Sequence, residues 1–253
     1  MKTLFLAWQN PISRTWFPIG RLTFDGGLYR FCYIQGVTTA QQEGDFESLW
    51  AFPELEAVYK SRELFPLFAN RLLRRSRPEY SDFIQWLNIP QHEDNDPIAL
   101  LSRSGGQRAT DSFEVFPCPE RDEKGQYHIH FFSHGVRHLP PETQPRINQL
   151  QPNERLYIAH DLQNPYDAKA LLLRTEDKYM VGYCPRYFVD DFFDLLRNAP
   201  NKLEILVEKV NPSSTPSQFR LLCNLTAEWA ENFQPFSGNT YQPLAKEELN
   251  VLV

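Results

Sequence analysis

The amino-acid sequence predicts an α+β fold in two modules: a small antiparallel sheet with helices, then a second β-rich module that carries one helix. Three observations lead there. With 253 residues, 42% of them hydrophobic, the chain can bury one sizeable core or two modest ones, and two fits its length better. Short runs that alternate apolar with polar residues, bounded by Gly, Pro, Asn and Asp, recur in both halves of the chain. Among them lie segments whose apolar residues return at the helical period.

In the first module, residues 3–8 read as a strand and Asn10-Pro11 as the turn after it. Residues 16–22 and 28–33 make two further strands around Asp25-Gly26-Gly27, because consecutive glycines supply the positive φ of a tight hairpin. A polar stretch follows. Residues 65–73 and 80–87 read as helices, with Arg71, Arg74, Arg75 and Arg77 at or just past the end of the first, where cations in solvent complement the helix dipole. Asp96 caps a third helix with Pro97 at its first position. The loop at 102–111, with Gly105-Gly106, leads into a strand at 112–116. It lacks the Lys-Ser/Thr spacing of a phosphate loop and opens no helix, so it reads as a plain turn.

The second module is organised around residues 150–196. Asn164-Pro165-Tyr166-Asp167 is a turn between the apolar runs 156–159 and 170–173: Pro165 fixes its own φ and biases Asn164 toward extended backbone. A strand at 180–183 comes next, and Pro185 stands just ahead of a helix over 187–196. The polar turn and Arg186 therefore share one rim. Residues 203–210 and 218–223 flank a Pro/Ser loop and close the module as a hairpin. Trp229, Phe233, Phe236 and Tyr241 suggest a tail, 226–253, that packs on its own domain or on a partner.

Composition narrows the function classes. Lys and Arg number 26 against 32 acids, a net charge of −6, and neither module is basic, so any nucleic-acid site is a local patch and not a general polyanion field. Cys32, Cys118, Cys184 and Cys223 show no Cys-x-x-Cys pair and no secretory leader precedes them, as in a cytoplasmic protein with reduced thiols. No apolar run approaches the ~20 residues of a membrane helix. His128 and His130 would share one strand face, but no Cys or carboxylate stands at ligand spacing, so no metal is expected. No nucleophile has an activating neighbour, so neither a catalytic centre nor a cofactor is expected.

The ordered motifs Gly135-Val136-Arg137-His138, Asn164-Pro165-Tyr166-Asp167, Lys169-Ala170-Leu171 and Val181-Gly182-Tyr183-Cys184-Pro185-Arg186 resemble the HIRAN domain over roughly residues 112–225. The resemblance implies an OB-like β-barrel that binds the 3′-end of single-stranded DNA. It makes Asp167 the acceptor for a terminal 3′-hydroxyl, where a 3′-phosphate is repelled, and gives the last phosphates to Arg137 and Arg186. His138, Tyr166 and Tyr183 become stacking faces, and Gln163 and Asn164 supply amide hydrogen bonds. The chain departs from the family's usual pattern at His138, where a larger aromatic is common, and at Tyr183, where His often follows Val-Gly; both keep a planar ring. From the residues alone, the same rim also reads as a turn aspartate capping its own backbone, with arginines paired to Asp190 or Asp191.

Residues 1–116 resemble a second family through their order of elements. A sheet with Gly20-Arg21-Leu22 precedes a Phe68-x-Asn70-x-Leu72-Leu73 helix, an Asp96-Pro97-x-x-Leu100-Leu101 helix and the glycine loop. This order is similar to the N-terminal subdomain of HipA-type kinases, also found as a separate protein that restrains such a kinase; the kinase core has no counterpart here. The expected layout is therefore a HipA-like module at 1–116, a HIRAN module at 117–225 and the tail. The expected function is a non-catalytic, cytoplasmic reader of single-stranded DNA 3′-ends, suited to phage defence or DNA-damage signalling, whose first module recruits or restrains another protein. The alternative is a toxin–antitoxin regulator that binds a HipA-like kinase through residues 1–116 and uses the rim for protein contact.

Overall fold

The computed structural model describes residues 1–245 and 250–252, which divide into two compact units. The first holds residues 1–81, 89–118 and those from 236 onward; the second holds 82–88 and 119–235.

In the first unit, β1 (Lys2–Gln9), β2 (Trp16–Asp25), β3 (Leu28–Tyr33), β4 (Val58–Ser61), β5 (Phe113–Pro117) and β12 (Asn250–Leu252) form one sheet in the order β12-β4-β3-β2-β1-β5. Only β12 with β4 is parallel. The β2–β3 turn has Gly26 and Gly27 at φ 56° and 78° with Asp25 opposite Leu28, the twisted two-residue hairpin that the glycine pair requires. Leu4, Leu6, Ile19, Phe31 and Tyr33 are buried with Phe52, Phe65, Phe68 and with Val37 and Ala40 of α1 (Gly36–Gly44). Phe5 points to the other face of β1 and packs on Phe116, Phe236 and Tyr241, with ring centroids 5.5, 5.1 and 5.1 Å away. Leu49 and Phe52 are buried as well. The Tyr33 hydroxyl accepts from the Leu49 N–H at 2.7 Å and donates to the Phe52 carbonyl at 2.8 Å, and the turn so clamped holds Trp50 90% exposed.

Two expectations for this unit need correction. The helix expected over 65–73 is a single short turn, α2 (Pro66–Ala69), and Arg71 is no solvated cation: it is 7% exposed. Its guanidinium meets both Asp111 oxygens at 3.1 and 2.8 Å and donates to the Gly106 carbonyl at 2.9 Å. A buried arginine needs such bidentate pairing, and the pairing fixes the glycine loop. The polar stretch after Tyr33 contains α1 and β4. By contrast, α4 (Pro97–Ser104) starts as read, with the Asp96 carboxylate accepting from the Ile98 N–H at 2.9 Å. Gly105, at φ 72°, ends α4 by donating to the Leu101 carbonyl. The helix read at 80–87 is α3 (Tyr80–Leu87).

In the second unit, β6 (Gln126–Phe132), β7 (Arg155–His160), β8 (Leu171–Arg174), β9 (Met180–Tyr183), β10 (Glu204–Val210) and β11 (Leu221–Glu228) form an antiparallel sheet in the order β6-β11-β10-β7-β8-β9. The sheet curls until its edges meet. Just past β6, His134 and Tyr183 exchange two backbone hydrogen bonds, each 2.9 Å, and the Ser133 hydroxyl donates to the Val181 carbonyl at 3.0 Å. A Cβ on Gly182, at φ 132°, would stand 1.9 Å from Ser133 Oγ and 2.7 Å from the His134 carbonyl oxygen, so this seam closes only on glycine. Ile129, Phe131, Leu156, Leu171, Leu173, Val181, Ile205, Val207 and Leu225 are buried here. So are Val189, Phe192 and Leu195 of α6 (Val189–Asn198), while α5 (Gln144–Gln149) contributes Ile147. A curled antiparallel sheet with a helix fits the OB-like expectation.

The element bounds shift in three places. The strand read at 112–116 in the first module is β5, residues 113–117, and pairs with β1. The last strand begins at Leu221 and runs to Glu228, since Ser217–Phe219 is a 3-10 turn. Of the tail, Trp229 and Phe233 lie beside Tyr127 in the second unit, and Phe236 and Tyr241 beside Phe5 in the first. Residues 246–249 and 253 of that tail lie outside the described residues. All four cysteines are free thiols, and burial pushes Cys184 and Cys223 up. Among the described residues no helix is long and apolar enough to cross a membrane, and no three His, Cys, Asp or Glu side chains cluster as metal ligands.

Candidate nucleic-acid interface

The connection between β7 and β8 is built by its own short polar side chains. Asn164 Oδ1 accepts from the backbone N–H groups of Tyr166 and Asp167 at 3.0 and 3.1 Å, and Asp167 Oδ1 accepts from the Lys169 N–H at 3.0 Å. The Asp161 N–H donates to the Ala170 carbonyl at 2.9 Å and closes the loop at its base. These are Asx-type bonds, which Pro165 favours by restricting the backbone around it. The loop presents Tyr166, 85% exposed, and Leu162, 79% exposed, to solvent.

Arg186 enters from the start of the 3-10 turn Arg186–Phe188, which leads into α6. Its Nε meets Asp167 Oδ2 at 2.9 Å, with the arginine side chain 40% and the aspartate 20% exposed. A carboxylate has about four acceptor positions, so Asp167, with one used at each oxygen, keeps room for another donor. The pairing expected with Asp190 or Asp191 is not the one Arg186 makes: Lys169 takes Asp190, at 2.7 Å on an exposed surface. Asp167 does cap its own turn, as the residue-only reading held, and it does so while holding Arg186.

The third part hangs from the seam. Gly135, at φ 73°, turns the chain into the 3-10 turn Val136–His138, and its α-carbon abuts the Tyr183 ring closely enough that a Cβ would lie 3.1 Å from it. Arg137 and His138 are exposed there, with Arg137 Nε donating to His138 Nε2 at 2.9 Å. The Tyr183 hydroxyl donates to Asp161 Oδ2 at 2.9 Å, and Asn164 Nδ2 donates to the same oxygen at 3.1 Å. The hydrogen bond from Tyr183, then that from Asn164, hold the Asp161 carboxyl below the usual range; burial and the negative charge of Asp161 push the Tyr183 phenol up.

The structure thus joins Asn164, Tyr166 and Asp167 on one turn, ties Arg186 to Asp167, and links Tyr183 to that turn through Asp161. Gln163 is exposed on the same turn, and Arg137 and His138 follow the glycine that abuts Tyr183. Sequence reasoning missed Asp161, although an Asp three residues before an Asn, at the end of a strand, is itself a turn signal. His128 and His130 do share a strand face, with ring centroids 4.8 Å apart; the acid beside His130 is Glu208, at 3.7 Å.

Residues 126–229 match the family model of the HIRAN domain. A crystal structure of a protein from Lactobacillus plantarum is similar at 17% identity and a TM-score of 0.32, over 41% of this chain and 97% of that one. The crystal structure of the HIRAN domain of human HLTF is similar at 17% identity and a TM-score of 0.29, over 40% of this chain and 74% of that one. No curated protein matches the chain. The HIRAN match leaves residues 1–125 uncovered, where the HipA resemblance rests on the sequence motifs alone.

Proposed function

We propose that the second unit, whose residues 126–229 match the HIRAN domain, binds DNA by gripping the 3′-hydroxyl end of a single strand, without catalysing a reaction on it. The observation that carries the reading is the Asp167–Arg186 pair: an acceptor and a cation fixed 2.9 Å apart on a rim with exposed aromatic and basic side chains. Asp167 accepts the terminal hydroxyl, while Arg186 and Arg137 take the last phosphates. Tyr166, His138 and Tyr183 offer stacking faces worth ~1–3 kcal/mol per base. Gln163 and Asn164 supply amide contacts. Fluorescence anisotropy with a labelled strand ending in 3′-hydroxyl, the same strand ending in 3′-phosphate, and a blunt duplex tests this. Tight binding of the hydroxyl end alone is the expected result; equal binding of all three overturns the reading.

The first unit serves as a protein-interaction module in this proposal. Its support is Trp50, a bare indole held on a turn that the Tyr33 hydroxyl clamps at both ends, as rigid aromatic anchors of interfaces are. A HipA-like kinase is the partner class that the resemblance of residues 1–116 implies. Copurification of such a kinase with the chain, lost in Trp50→Ala while DNA binding persists, is the expected outcome.

A further inference from the structure

The solvent face of the second sheet carries a path that leads away from the rim. Ala159, Leu172 and Tyr183 are register partners across β7, β8 and β9, and so share one face. Two residues further along that face stand Tyr157 and Arg174, partners of each other, with Arg155 beyond. The opposite face holds Leu156, Leu171 and Leu173, all buried, which makes the Tyr183 face the outer one. The Arg174 guanidinium lies 4.9 Å from the centre of the Tyr157 ring and that of Arg155 lies 5.4 Å from it.

These two arginines differ from Arg146 in the same unit. Arg146 is spent on structure, paired with Glu154 and with Asp177 at 2.9 Å. Among the described residues neither Arg155 nor Arg174 has an acidic partner; Arg174 donates only to the neighbouring Thr175 carbonyl, at 3.0 Å. Like charges that converge on one ring repel each other, and a polyanion laid between them removes the cost. The chain is acidic overall, so this concentration of unneutralised positive charge around an aromatic plane is a local feature and not the general surface.

We infer that Arg155, Tyr157 and Arg174 form a second subsite that holds the body of the single strand whose end the rim reads. A base takes the place of one guanidinium over the Tyr157 ring as the two arginines swing out to pair phosphates on the 5′ side of the terminal nucleotides. Two residues of strand separate the Tyr183 row from the Tyr157 row by ~7 Å. That is about two stacked nucleotides at ~3.4 Å each, so a strand whose last three bases take Tyr166, His138 and Tyr183 reaches the subsite over Leu172 and Ala159 only with the nucleotides upstream of those three.

The inference rests on the end reading of the rim, and length separates the two. Anisotropy is measured on the full chain with a trinucleotide and a dodecanucleotide, both ending in 3′-hydroxyl. The longer strand is expected to bind at least tenfold tighter. Tyr157→Ala, and Tyr157→Leu, which keeps an apolar side chain for packing, remove roughly five- to hundredfold of that gain and leave the trinucleotide unchanged. Arg155→Gln with Arg174→Gln lowers the salt slope for the dodecanucleotide by about 1.4 and leaves that for the trinucleotide in place. No gain with length, or a gain indifferent to all these substitutions, overturns the subsite while the rim stands. A trinucleotide that binds no better with 3′-hydroxyl than with 3′-phosphate overturns the end reading instead, whatever the length dependence.

Discussion

Replacing Asp167 by Asn exchanges one atom and removes one charge, and the geometry makes its two consequences opposite in sign. The Oδ1 acceptor for the Lys169 N–H is retained, so the turn keeps its internal bond. The Oδ2 position, 2.9 Å from Arg186 Nε, becomes an amide donor facing a donor, and Arg186 loses its partner. A hydroxyl bonded to a carboxylate is worth ~1.5–3 kcal/mol and one bonded to a neutral acceptor ~0.5–1.5, so binding of a 3′-hydroxyl strand weakens by about 1–2 kcal/mol, roughly five- to thirtyfold. A 3′-phosphate carries about −1.5 to −2 charges. Against the Asp167 carboxylate at ~4 Å, each unit of charge is repelled by ~1 kcal/mol in water and ~4 kcal/mol at an effective dielectric of about 20. With the pair 20% and 40% exposed, solvent screens part of this, and rejection of the phosphate end in the wild type is at least about tenfold. Asp167→Asn therefore weakens the hydroxyl strand and tightens the phosphate strand. Anisotropy with the two strands at one salt concentration reads both, with circular dichroism confirming that the variant is folded. If both affinities move in the same direction, Asp167 does not sit at the strand's end and the reasoning fails.

Other consequences are as direct. Gly182→Ala places a Cβ into Ser133 and the His134 carbonyl at a φ that L-residues avoid; a loss of about 2–4 kcal/mol in urea denaturation is expected, and a neutral outcome would mean the seam is not closed as described. Tyr183→Phe keeps the ring but removes the donor to Asp161; the Asp161 carboxyl then rises toward its ordinary value in a carbon-detected NMR titration, whereas an unmoved value would break the link between β9 and the turn. Asp177, bonded first of all by Arg146, has its carboxyl lowered from 3.8 to about 2. A depressed carboxylate stabilises the fold above its unfolded value and loses that contribution as pH falls through the folded one. Melting temperature should therefore drop between pH 4 and pH 2 with a steeper slope in wild type than in Asp177→Asn; parallel slopes would refute the pairing.

What the sequence revealed and what it hid have physical reasons. The hairpin at Gly26-Gly27, the Asp96 cap and the turn at 164–167 depend on local backbone chemistry, and each could be read from a few adjacent residues. The α1 helix could not, because only Gly36, Val37, Ala40 and Gly44 face inward and the rest is polar, too sparse an apolar set to show a period. Arg71 misled for another reason: its burial depends on Asp111, forty residues away. At the rim, the residue types were legible and their wiring was not. Nothing local says that Arg186 chooses Asp167 over Asp190, or that Tyr183 reaches back to Asp161; both choices are made by the curl of the sheet.

Tyr183 belongs to two structures at once. Its backbone locks the last edge of the barrel to His134, and its ring and hydroxyl hold the rim. Opening the seam would part Gly135, with Arg137 and His138 behind it, from the strand that carries Tyr183. On the proposed end reading, a strand end that touches both sides acts as a staple across the opening, and its binding free energy is added to the work of unzipping the sheet: about 2.7 kcal/mol at a hundredfold excess over Kd. The amides of His134 and Tyr183, which face each other and not the ligand, become its reporters. Their hydrogen exchange slows in proportion to occupancy. On that reading, gripping an end and keeping the curled sheet closed are one equilibrium, seen from two sides.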